Sequence, residues 1–458
     1  MSADHSALKI RLRGDVIQPG DANYNEARKL YNGMIDKRPG VIARPVDVAD
    51  VMECVKYARE NRLLLAIRGG GHNGPGLGSC DGGMVIDLSR MRGVRVDPYA
   101  ETAQAAGGCL FGDLDHATHA FGLAAPGGII STTGVAGLTL GGGIGHLSRK
   151  YGLSIDNLLA VDVVLADGSF VTASRERNED LFWAVRGGGG NFGVVTSFRF
   201  RLNPVHTVTA GPMFWAPEDA PEVMRAYEQF ITQAPDEING FFAFLNIPPV
   251  PLFPEALHGR TVCGVIWCST EGPERTQELL APTGRWPKPL LAHVGPMPFP
   301  MLQSLFDGLM PPGLQWYWKA DFIDRLSDEA IQKHVEHGTN LPSMLSTMHM
   351  YPINGAVHRV GAGDTAFSYR KTTWAQVICG IDPDPANNER IIGWAKSYWD
   401  AVHPFSAGGA YVNFMMEEGA GRVEATYGAN YARLQKIKAK YDPENLFRVN
   451  QNIAPAAG

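Results

Sequence analysis

The stretch Leu63-Leu64-Leu65-Ala66-Ile67-Arg68-Gly69-Gly70-Gly71-His72-Asn73-Gly74 decides the fold of the first half of this 458-residue chain. An apolar run bounded by glycines is typical of a buried strand that ends in a tight loop. Because glycine has no Cβ, the main chain of such a loop can approach a ligand to hydrogen-bonding distance. The pattern therefore places His72 against whatever ligand the loop holds.

Gly69, Gly71 and Gly74 also have the spacing of the glycine fingerprint found in dinucleotide-binding βαβ folds. That fingerprint requires a helix to begin at its third glycine, because the helix N-terminus binds the pyrophosphate. Here the chain continues with Pro75-Gly76-Leu77-Gly78, which is typical of a loop. The sequence therefore excludes a Rossmann-type site at this position.

Four separated motifs resemble the flavin-binding half of the vanillyl-alcohol-oxidase superfamily, the PCMH-type FAD-linked oxidases. They are Arg68-Gly-Gly-Gly-His72-Asn73, the glycine-rich run of residues 126–145, Arg149-Lys-Tyr-Gly-Leu153, and the run of residues 180–195. The tail, residues 427–453, is similar to the closing segment of berberine-bridge-enzyme-like oxidases. Together the motifs bracket nearly the whole chain in the order that this family shows.

The resemblance implies an α+β fold of three parts. Residues 1–206 are expected to form a two-part α/β FAD-binding domain of the PCMH type. Residues 207–410 are expected to form a substrate domain, with an antiparallel sheet backed by helices. Residues 411–458 are expected to return to the FAD domain as a berberine-bridge-like segment.

Composition excludes several other classes of protein. The net charge of -6 comes from 41 basic and 47 acidic residues without runs of either sign, which argues against a nucleic-acid or anionic-membrane surface. The N-terminus has no apolar core of a signal peptide, and the best apolar run, residues 158–166, is too short to span a bilayer. Six cysteines lack metal-ligand spacing, so we expect packed thiols, no metal and a reducing cytoplasm.

Local patterns predict several elements directly. Asp47 is expected to cap a helix that runs to about Asn61. Residues 84–88 read as a strand, and residues 161–172 as a hairpin around an Asp-Gly turn. Residues 427–441 read as one helix that ends before Pro443.

The resemblance places His72 where this family attaches the flavin 8α-methyl group to an imidazole nitrogen. Many relatives form a second bond from a cysteine to flavin C6, but Ile130 occupies that position here. Isoleucine cannot form the bond. We therefore expect FAD with one covalent link, through His72.

The remaining FAD contacts are implied by the glycine-rich segments and by the tail. Successive main-chain amides can form a nest for the diphosphate, to which threonine hydroxyls can also donate. Two residues near position 194 are expected at the adenine half, and two asparagines of the tail at the pyrimidine end or the ribityl chain. The predicted set is Arg68, Gly69, Gly70, Gly71, His72, Asn73, Pro126, Thr132, Thr133, Gly134, Gly137, Gly141, Gly142, Gly143, Gly145, Gly193, Val195, Asn450 and Asn452.

Thr133 also matches the family position beside flavin C4a, where oxygen approaches. A β-branched residue of valine shape there resembles the oxidases rather than the dehydrogenases. This favours O2 as the electron acceptor.

The resemblance supplies no catalytic base. Plant-type relatives carry tyrosines where this chain has Ile144 and Phe414, so their alcohol-oxidation mechanism does not carry over. Thr347, His349 and Tyr351 alternate, so one face of a strand can present all three. His349 is a candidate base because the unperturbed pKa of histidine lies near neutrality, although most strand histidines are merely hydrogen-bonded.

Three further polar residues are candidates for the substrate site. Tyr369 and Gln376 lie on the next strand-like run, and Asn413 lies in the run Tyr411-Val-Asn-Phe414. Asn413 is expected to orient the substrate or to hydrogen-bond flavin N5. Tyr351 and Tyr369 suit pocket lining as well as proton transfer.

The sequence thus predicts a flavoprotein oxidase that takes a hydride from a small-molecule alcohol, lactol or amine carbon to flavin N5 and reduces O2 to H2O2. Ile144 and Phe414 make the predicted pocket apolar, which disfavours a sugar. One alternative is a dehydrogenase with another electron acceptor. A second is a flavin-carrying binding protein without turnover.

Overall fold

The computed structural model describes residues 5–251 and 253–457, which form three sheets and a two-stranded pair with helices between them. The strands are β1 (Asp15–Ile17), β2 (Val41–Arg44), β3 (Leu65–Arg68), β4 (Met84–Asp87), β5 (Val94–Asp97), β6 (Thr102–Ala106), β7 (Leu123–Ala124), β8 (Leu158–Val164), β9 (Phe170–Ser174), β10 (Val194–Arg201), β11 (Asn203–Pro204), β12 (Thr207–Trp215), β13 (Ile238–Asn246), β14 (Thr261–Ser269), β15 (Leu291–Ala292), β16 (Gly295–Pro298), β17 (Gln315–Ile323), β18 (Thr347–Pro352) and β19 (Trp374–Asp382).

The α-helices are mostly short. They are α1 (Ser6–Arg11), α2 (Tyr24–Ala27), α3 (Val48–Glu60), α4 (Phe111–His119), α5 (Val135–Gly141), α6 (Ser148–Tyr151), α7 (Glu179–Val185), α8 (Ala220–Gln233), α9 (Pro273–Leu280), α10 (Phe299–Gln303), α11 (Asp328–Gly338), α12 (Ala356–Arg359), α13 (Asn388–Val402), α14 (Ala420–Tyr427) and α15 (Tyr431–Tyr441). The longest described helix, α13, has 15 residues, and none in the described part is long and apolar enough to cross a membrane.

The first sheet carries the glycine loop. Its strand order is β1-β2-β4-β3, and β3 runs parallel to β4. The strand predicted before His72 is present, and no helix follows it before β4, which confirms that the loop is not a Rossmann turn. The predicted cap of α3 is also confirmed, because the Asp47 carboxylate accepts a hydrogen bond of 3.1 Å from the Asp50 amide.

The second sheet is antiparallel, in the order β5-β6-β10-β8-β9. Its strands β8 and β9 form the predicted hairpin around Asp167 and Gly168. Gly168 has φ +81°, a conformation that an L side chain would strain.

The third sheet is antiparallel and has eight strands, in the order β15-β12-β14-β13-β18-β19-β17 with β16 also paired to β12. Side chains alternate between its two faces because successive residues of a strand point in opposite directions. One face packs on α8, α11 and α13 through residues such as Phe242, Val265 and Ile378. The other face turns toward the glycine-rich segments. The predicted α+β fold with a helix-backed antiparallel sheet is confirmed.

The C-terminal segment packs back on the first half of the chain. Its residues Tyr427 and Leu434 share a hydrophobic core with Phe182 of α7. The predicted single helix over residues 427–441 is wrong in one respect. The α-helix is interrupted between α14 and α15, where Gly428 has φ +50°. The domain boundaries at 206/207 and 410/411 stay predictions. All six cysteines are buried free thiols.

Candidate active site

A cavity of about 670 Å³ lies between the glycine-rich segments and the third sheet. We call the first side the glycine wall, which comprises the lining residues within segments 67–73, 128–138, 189–195 and 447–451. The second side, the sheet wall, comprises the lining residues of β12, β13, β14, β17, β18 and β19. A ligand in this cavity therefore meets glycine-rich loops on one side and the side chains of a sheet on the other.

Two glycine segments of the glycine wall pack main chain against main chain. A Cβ at Gly70 would lie 2.6 Å from the Cα of Gly134, a separation that real Cβ atoms do not tolerate. Gly71 has φ +73°, which only glycine adopts without strain. Glycine is thus required at both loops, and the packing holds His72 at the cavity.

The glycine wall keeps space and unpaired polar atoms for a ligand. A Cβ at Gly137 or Gly190 would meet no protein atom within 4 Å, because both residues face the cavity. The Tyr427 hydroxyl and the Asn450 Oδ1 atom are buried and have no hydrogen-bond partner among the described residues. Unpaired buried polar atoms are costly, so their presence at a cavity indicates a polar ligand. These features fit the FAD that the sequence motifs imply.

His72 is held by an aromatic stack. Its ring lies parallel to that of Tyr31, with centroids 3.8 Å apart. Burial lowers the pKa of His72 to about 4, and a hydrogen bond with the Thr132 backbone offsets part of this effect. The imidazole is therefore neutral at pH 7 and retains an unprotonated nitrogen.

Many of the predicted cofactor residues line the cavity. They are Arg68, Gly69, Gly70, Gly71, His72, Asn73, Thr133, Gly134, Gly137, Gly193, Val195 and Asn450. Others lie behind this lining, namely Pro126, Thr132, Gly141, Gly142, Gly143, Gly145 and Asn452. Ile130, the residue at the position of the missing cysteine, lines the cavity.

The glycines at 141, 143 and 145 pack closely against other parts of the chain, and their predicted role in an anion cradle stays a prediction. A Cβ at Gly141 would lie 2.6 Å from Cγ of Asn413, and one at Gly143 would overlap the side chain of Ser154. At Gly145, it would overlap carbonyl oxygens of the chain near residue 128. The run is dense in glycine because other parts of the chain approach it.

On the sheet wall, the predicted alternation is present in β18. Thr347, His349 and Tyr351 all line the cavity. The Nδ1 atom of His349 lies 2.8 Å from the Tyr351 hydroxyl. Burial lowers the pKa of His349 to about 3 and raises that of Tyr351 well above 10, so both side chains are neutral.

Two predicted catalytic residues do not reach the cavity. Gln376 pairs with Met350, whereas its neighbour Val377 pairs with His349, so Gln376 points to the helix-packed face of the sheet. Tyr369 precedes β19 in a loop, and its hydroxyl donates to the Ala425 carbonyl at 2.9 Å. Both predictions are wrong. The sequence pattern does not define the register that turns Gln376 away from the cavity, nor the start of β19 after Tyr369.

Asn413 lines the cavity next to Tyr411, whose role no sequence motif indicates. Its amide nitrogen donates to the Leu138 carbonyl at 3.0 Å and to the Tyr411 hydroxyl at 2.7 Å. The Tyr411 oxygen also accepts from the Gly143 amide at 2.9 Å. Burial raises the pKa of Tyr411 to about 12, although these donors oppose the shift.

Further lining residues were missed because no motif points to them. Tyr31 is 41 positions before His72, and Cys379 is reached only through the register of β19. Gln451 lies between the two predicted tail asparagines, so the tail motif was the signal that could have identified it.

Residues 299–314, which we call the bridging segment, join the two walls. The Ser131 amide and hydroxyl both donate to the Asp307 carboxylate, the amide at 3.1 Å. The Tyr31 hydroxyl donates to the Met310 carbonyl at 2.6 Å. The segment also lines the cavity, so it covers the space between the walls.

A buried carboxyl group lies where the bridging segment meets α4. Asp115 of α4 accepts a hydrogen bond of 3.3 Å from the Gln303 side chain. Desolvation raises the pKa of Asp115 to about 7, the Gln303 hydrogen bond lowers it, and the nearby Asp307 raises it.

Known proteins are similar to this chain over nearly its whole length. Residues 39–174 match the family model described as FAD binding domain, and residues 410–454 match the one described as Berberine and berberine like. The uncharacterized FAD-linked oxidoreductase YgaK of Bacillus subtilis (strain 168) is 31% identical over 98% of this chain and 98% of its own length. The (R)-6-hydroxynicotine oxidase of Paenarthrobacter nicotinovorans is 29% identical over 98% of each chain.

A similar crystal structure is that of 6-hydroxy-D-nicotine oxidase from Arthrobacter nicotinovorans. It is 26% identical and has a TM-score of 0.86, with 97% of this chain and 98% of that chain covered.

Proposed function

Because this chain belongs to the berberine-bridge-enzyme-like family of FAD-linked oxidoreductases, we propose that it is an oxidase that oxidises an alcohol, lactol or amine carbon of a small molecule and passes the electrons to dioxygen. The observation that carries the proposal is the cavity itself. It brings His72 and the glycine loops to face His349 and Tyr351. The (R)-6-hydroxynicotine oxidase supports this choice, since its name describes an oxidase.

Bound FAD supplies a two-electron acceptor that takes a hydride from the substrate carbon and yields hydrogen peroxide when dioxygen reoxidises it. We propose that His72 carries the flavin through one covalent bond. Its pKa of about 4 leaves a nitrogen lone pair free at neutral pH, as bond formation requires. The stack on Tyr31 fixes the ring plane. Ile130 provides no thiol for a second bond.

On the other side of the cavity, His349 receives the substrate proton. For that role its Nε2 atom must be unprotonated, so Nδ1 carries the hydrogen and donates to the Tyr351 oxygen. The Tyr351 hydroxyl therefore fixes this tautomer of the imidazole. Asn413, held by Leu138 and Tyr411, orients the substrate.

Thr133 favours dioxygen over another acceptor, because it lines the cavity with a small β-branched side chain. A dehydrogenase with another acceptor is the second candidate function. A flavin-carrying binding protein is a third, and the absence of the plant-type tyrosines at Ile144 and Phe414 is the observation in its favour.

Acid precipitation of the purified holoprotein tests the attachment. The pellet should remain yellow, and His72→Ala should release all flavin into the supernatant. His293→Ala is the matched control, because His293 is exposed and outside the cavity. Flavin that washes out of the unmutated protein contradicts the covalent bond, and a cysteinyl-flavin peptide contradicts the single bond.

Reoxidation kinetics test the oxidase. After anaerobic reduction, mixing with dissolved oxygen should restore the flavin spectrum rapidly and release one hydrogen peroxide per flavin. Slow reoxidation by oxygen but rapid reoxidation by a quinone would identify the dehydrogenase. A flavin that no substrate reduces would indicate the binding protein.

A further inference from the structure

The cavity lining carries one permanently charged side chain, and a buried carboxylate neutralises it. Among the described lining residues, Arg68 is the single one with a permanently charged side chain. Its guanidinium donates to the carbonyls of Ala27 and Lys29 at 2.9 and 3.0 Å and lies 3.7 Å from the Asp87 carboxylate. Since an unpaired ion is costly to bury, an ionised substrate would lose its hydration without gaining a partner.

Most polar side chains of the sheet wall and its edge are already paired with the protein. The Thr347 hydroxyl donates to the Phe244 carbonyl at 2.7 Å. The Asn246 amide donates to the Ser343 carbonyl at 2.9 Å and accepts from the Thr261 hydroxyl at 2.7 Å. A ligand with many hydroxyl groups would therefore leave most of them without partners.

Apart from the unpaired atoms of Tyr427 and Asn450 beside the glycine-rich segments, few polar atoms at the cavity remain available. The Nε2 atom of His349 and the Oδ1 atom of Asn413 have no hydrogen-bond partner in the described part of the chain, although the other polar atom of each side chain is bonded. The Nε1 atoms of Trp316 and Trp318 on the sheet wall also have no partner among the described residues, and they can only donate. The sheet-wall side of the cavity can thus pair with only a few polar groups of a ligand.

The apolar surface between these atoms is wide. Lining residues come from six adjacent strands, from Phe214 of β12 to Trp316 of β17, with Phe241 and Ile266 between them. With strands spaced about 4.8 Å apart, this row spans about 24 Å. At its edge, Met344 lines the cavity and is 44% exposed, so the approach from solvent is apolar too.

We propose, resting on the function proposed above, that the substrate is an uncharged, largely apolar alcohol with more than one ring, held by carbon contacts and by one hydroxyl at His349. Its carbinol C–H bond breaks with transfer of a hydride to FAD, and its O–H proton passes to Nε2 of His349. The product is the corresponding aldehyde or ketone. Dioxygen takes the two electrons and, with two protons, becomes hydrogen peroxide.

Anaerobic titration of the holoenzyme with three probes tests the proposal. They are 2-naphthalenemethanol, which is neutral and apolar, 2-naphthylmethylamine, which is a cation at pH 7, and xylobiose, which is polyhydroxylated. The neutral alcohol should bleach the flavin with a second-order rate constant about a hundredfold above either of the others, equal to about 2.7 kcal/mol. Each probe's dissociation constant is measured in parallel from the shift that it causes in the flavin absorbance.

A matched pair of variants tests whether the sheet wall causes the preference for the neutral alcohol. Val377→Thr places a hydroxyl on the cavity face beside His349, whereas Val265→Thr places the same group on the helix-packed face. Only Val377→Thr should raise the dissociation constant of 2-naphthalenemethanol, by about tenfold. Both substitutions nearly conserve volume. Equal effects of the two variants would overturn the assignment of the binding surface.

The outcomes separate this proposal from the proposed function. Preference for the ammonium or for xylobiose, in rate or in binding, overturns the substrate class while the oxidase stands. If no probe bleaches the flavin but the neutral alcohol still binds most tightly, the redox function fails and the ligand class stands. Equal binding of all three probes overturns the ligand class.

Discussion

The glycine wall and the sheet wall enclose one cavity but are built on different principles. The glycine wall offers main-chain atoms, so its sequence must be glycine at the points where two loops touch, as at Gly70 and Gly134. The sheet wall offers side chains selected by the two-residue alternation of β18 and β19. The difference shows that sequence motifs identify the glycine wall. Which side chains face the cavity from the sheet wall depends instead on the strand register.

The largest effect is expected from breaking the glycine wall. In Gly70→Ala, the new Cβ overlaps the main chain of Gly134, so the loops must separate and bound flavin should be lost almost completely. Flavin absorbance per protein measures this. Gly93→Ala is the control, since a Cβ there meets nothing within 4 Å. Normal flavin content in Gly70→Ala would contradict the close-packing argument.

On the sheet wall, His349→Ala should slow anaerobic flavin reduction by about a hundred- to ten-thousandfold, the usual contribution of a general base. Flavin content should not change, because His349 is not part of the glycine wall. Tyr351→Phe, which removes only the hydroxyl bonded to Nδ1, should cause a smaller loss. Reduction of His349→Ala at the normal rate would remove the residue from the mechanism.

The pH profile sharpens this test. A base must be unprotonated, and burial lowers the pKa of His349 to about 3, so the group remains active as pH falls until that value is approached. Flavin reduction should therefore show no loss centred near pH 6.5, where an unperturbed histidine would protonate. Stopped-flow reduction rates between pH 5 and 8 measure this. A clear loss near pH 6.5 would mean that the imidazole is hydrated in the working enzyme.

A moderate effect is expected at Thr133. A bulkier Thr133→Leu side chain in the cavity should slow reoxidation by about tenfold, equal to about 1.4 kcal/mol in the barrier, and leave anaerobic reduction nearly intact. Thr133→Val keeps the shape and should reoxidise normally. If reduction and reoxidation fall together in Thr133→Leu, the residue acts on the flavin as a whole and does not control oxygen access.

The last effect is on stability and not on activity, and it concerns Asp115, where the bridging segment meets α4. Its folded pKa of about 7 exceeds the unfolded value of 3.8, so the protein loses stability as pH rises between these values. Asp115→Asn should therefore raise the free energy of unfolding at pH 8 by up to about 4 kcal/mol, and by less as pH falls toward 4. Urea denaturation at pH 8 and pH 5 measures it.

The matched variant is Asp113→Asn in the same helix. Asp113 is paired with Arg92 at 2.6 Å near the surface, so its removal should give no stabilisation at pH 8. Equal stabilisation by both variants would trace the effect to net charge rather than to desolvation.

The sequence predicts the glycine loop, the strand before it and the alternation of β18 because each depends on local chemistry. Glycine at a close approach and a capping aspartate are recognisable without knowledge of the rest of the fold. The glycines at 141–145 are also visible, but their partners, Asn413 and Ser154, are not. A dense glycine run can therefore indicate either a loop that approaches a ligand or a loop that packs on another part of the chain. Only the tertiary contacts distinguish the two.

The sheet wall shows the opposite limit. Gln376 and Val377 are neighbours, and a shift of one residue decides which of them faces the cavity. Tyr31 reaches His72 from another part of the chain, and no spacing rule links them. The covalent link and the catalytic roles stay proposals that the variants above address.

For protein engineering, the contacts of the bridging segment determine which residues must be exchanged together between relatives. It meets the rest of the chain through Ser131, Tyr31 and Asp115, which lie far from it in sequence. The Tyr31 partner is a main-chain carbonyl that any imported segment supplies, whereas the partners of Ser131 and Asp115 are the side chains of Asp307 and Gln303. A transplant intended to change the substrate should therefore carry the donor's residues at 115 and 131 as well.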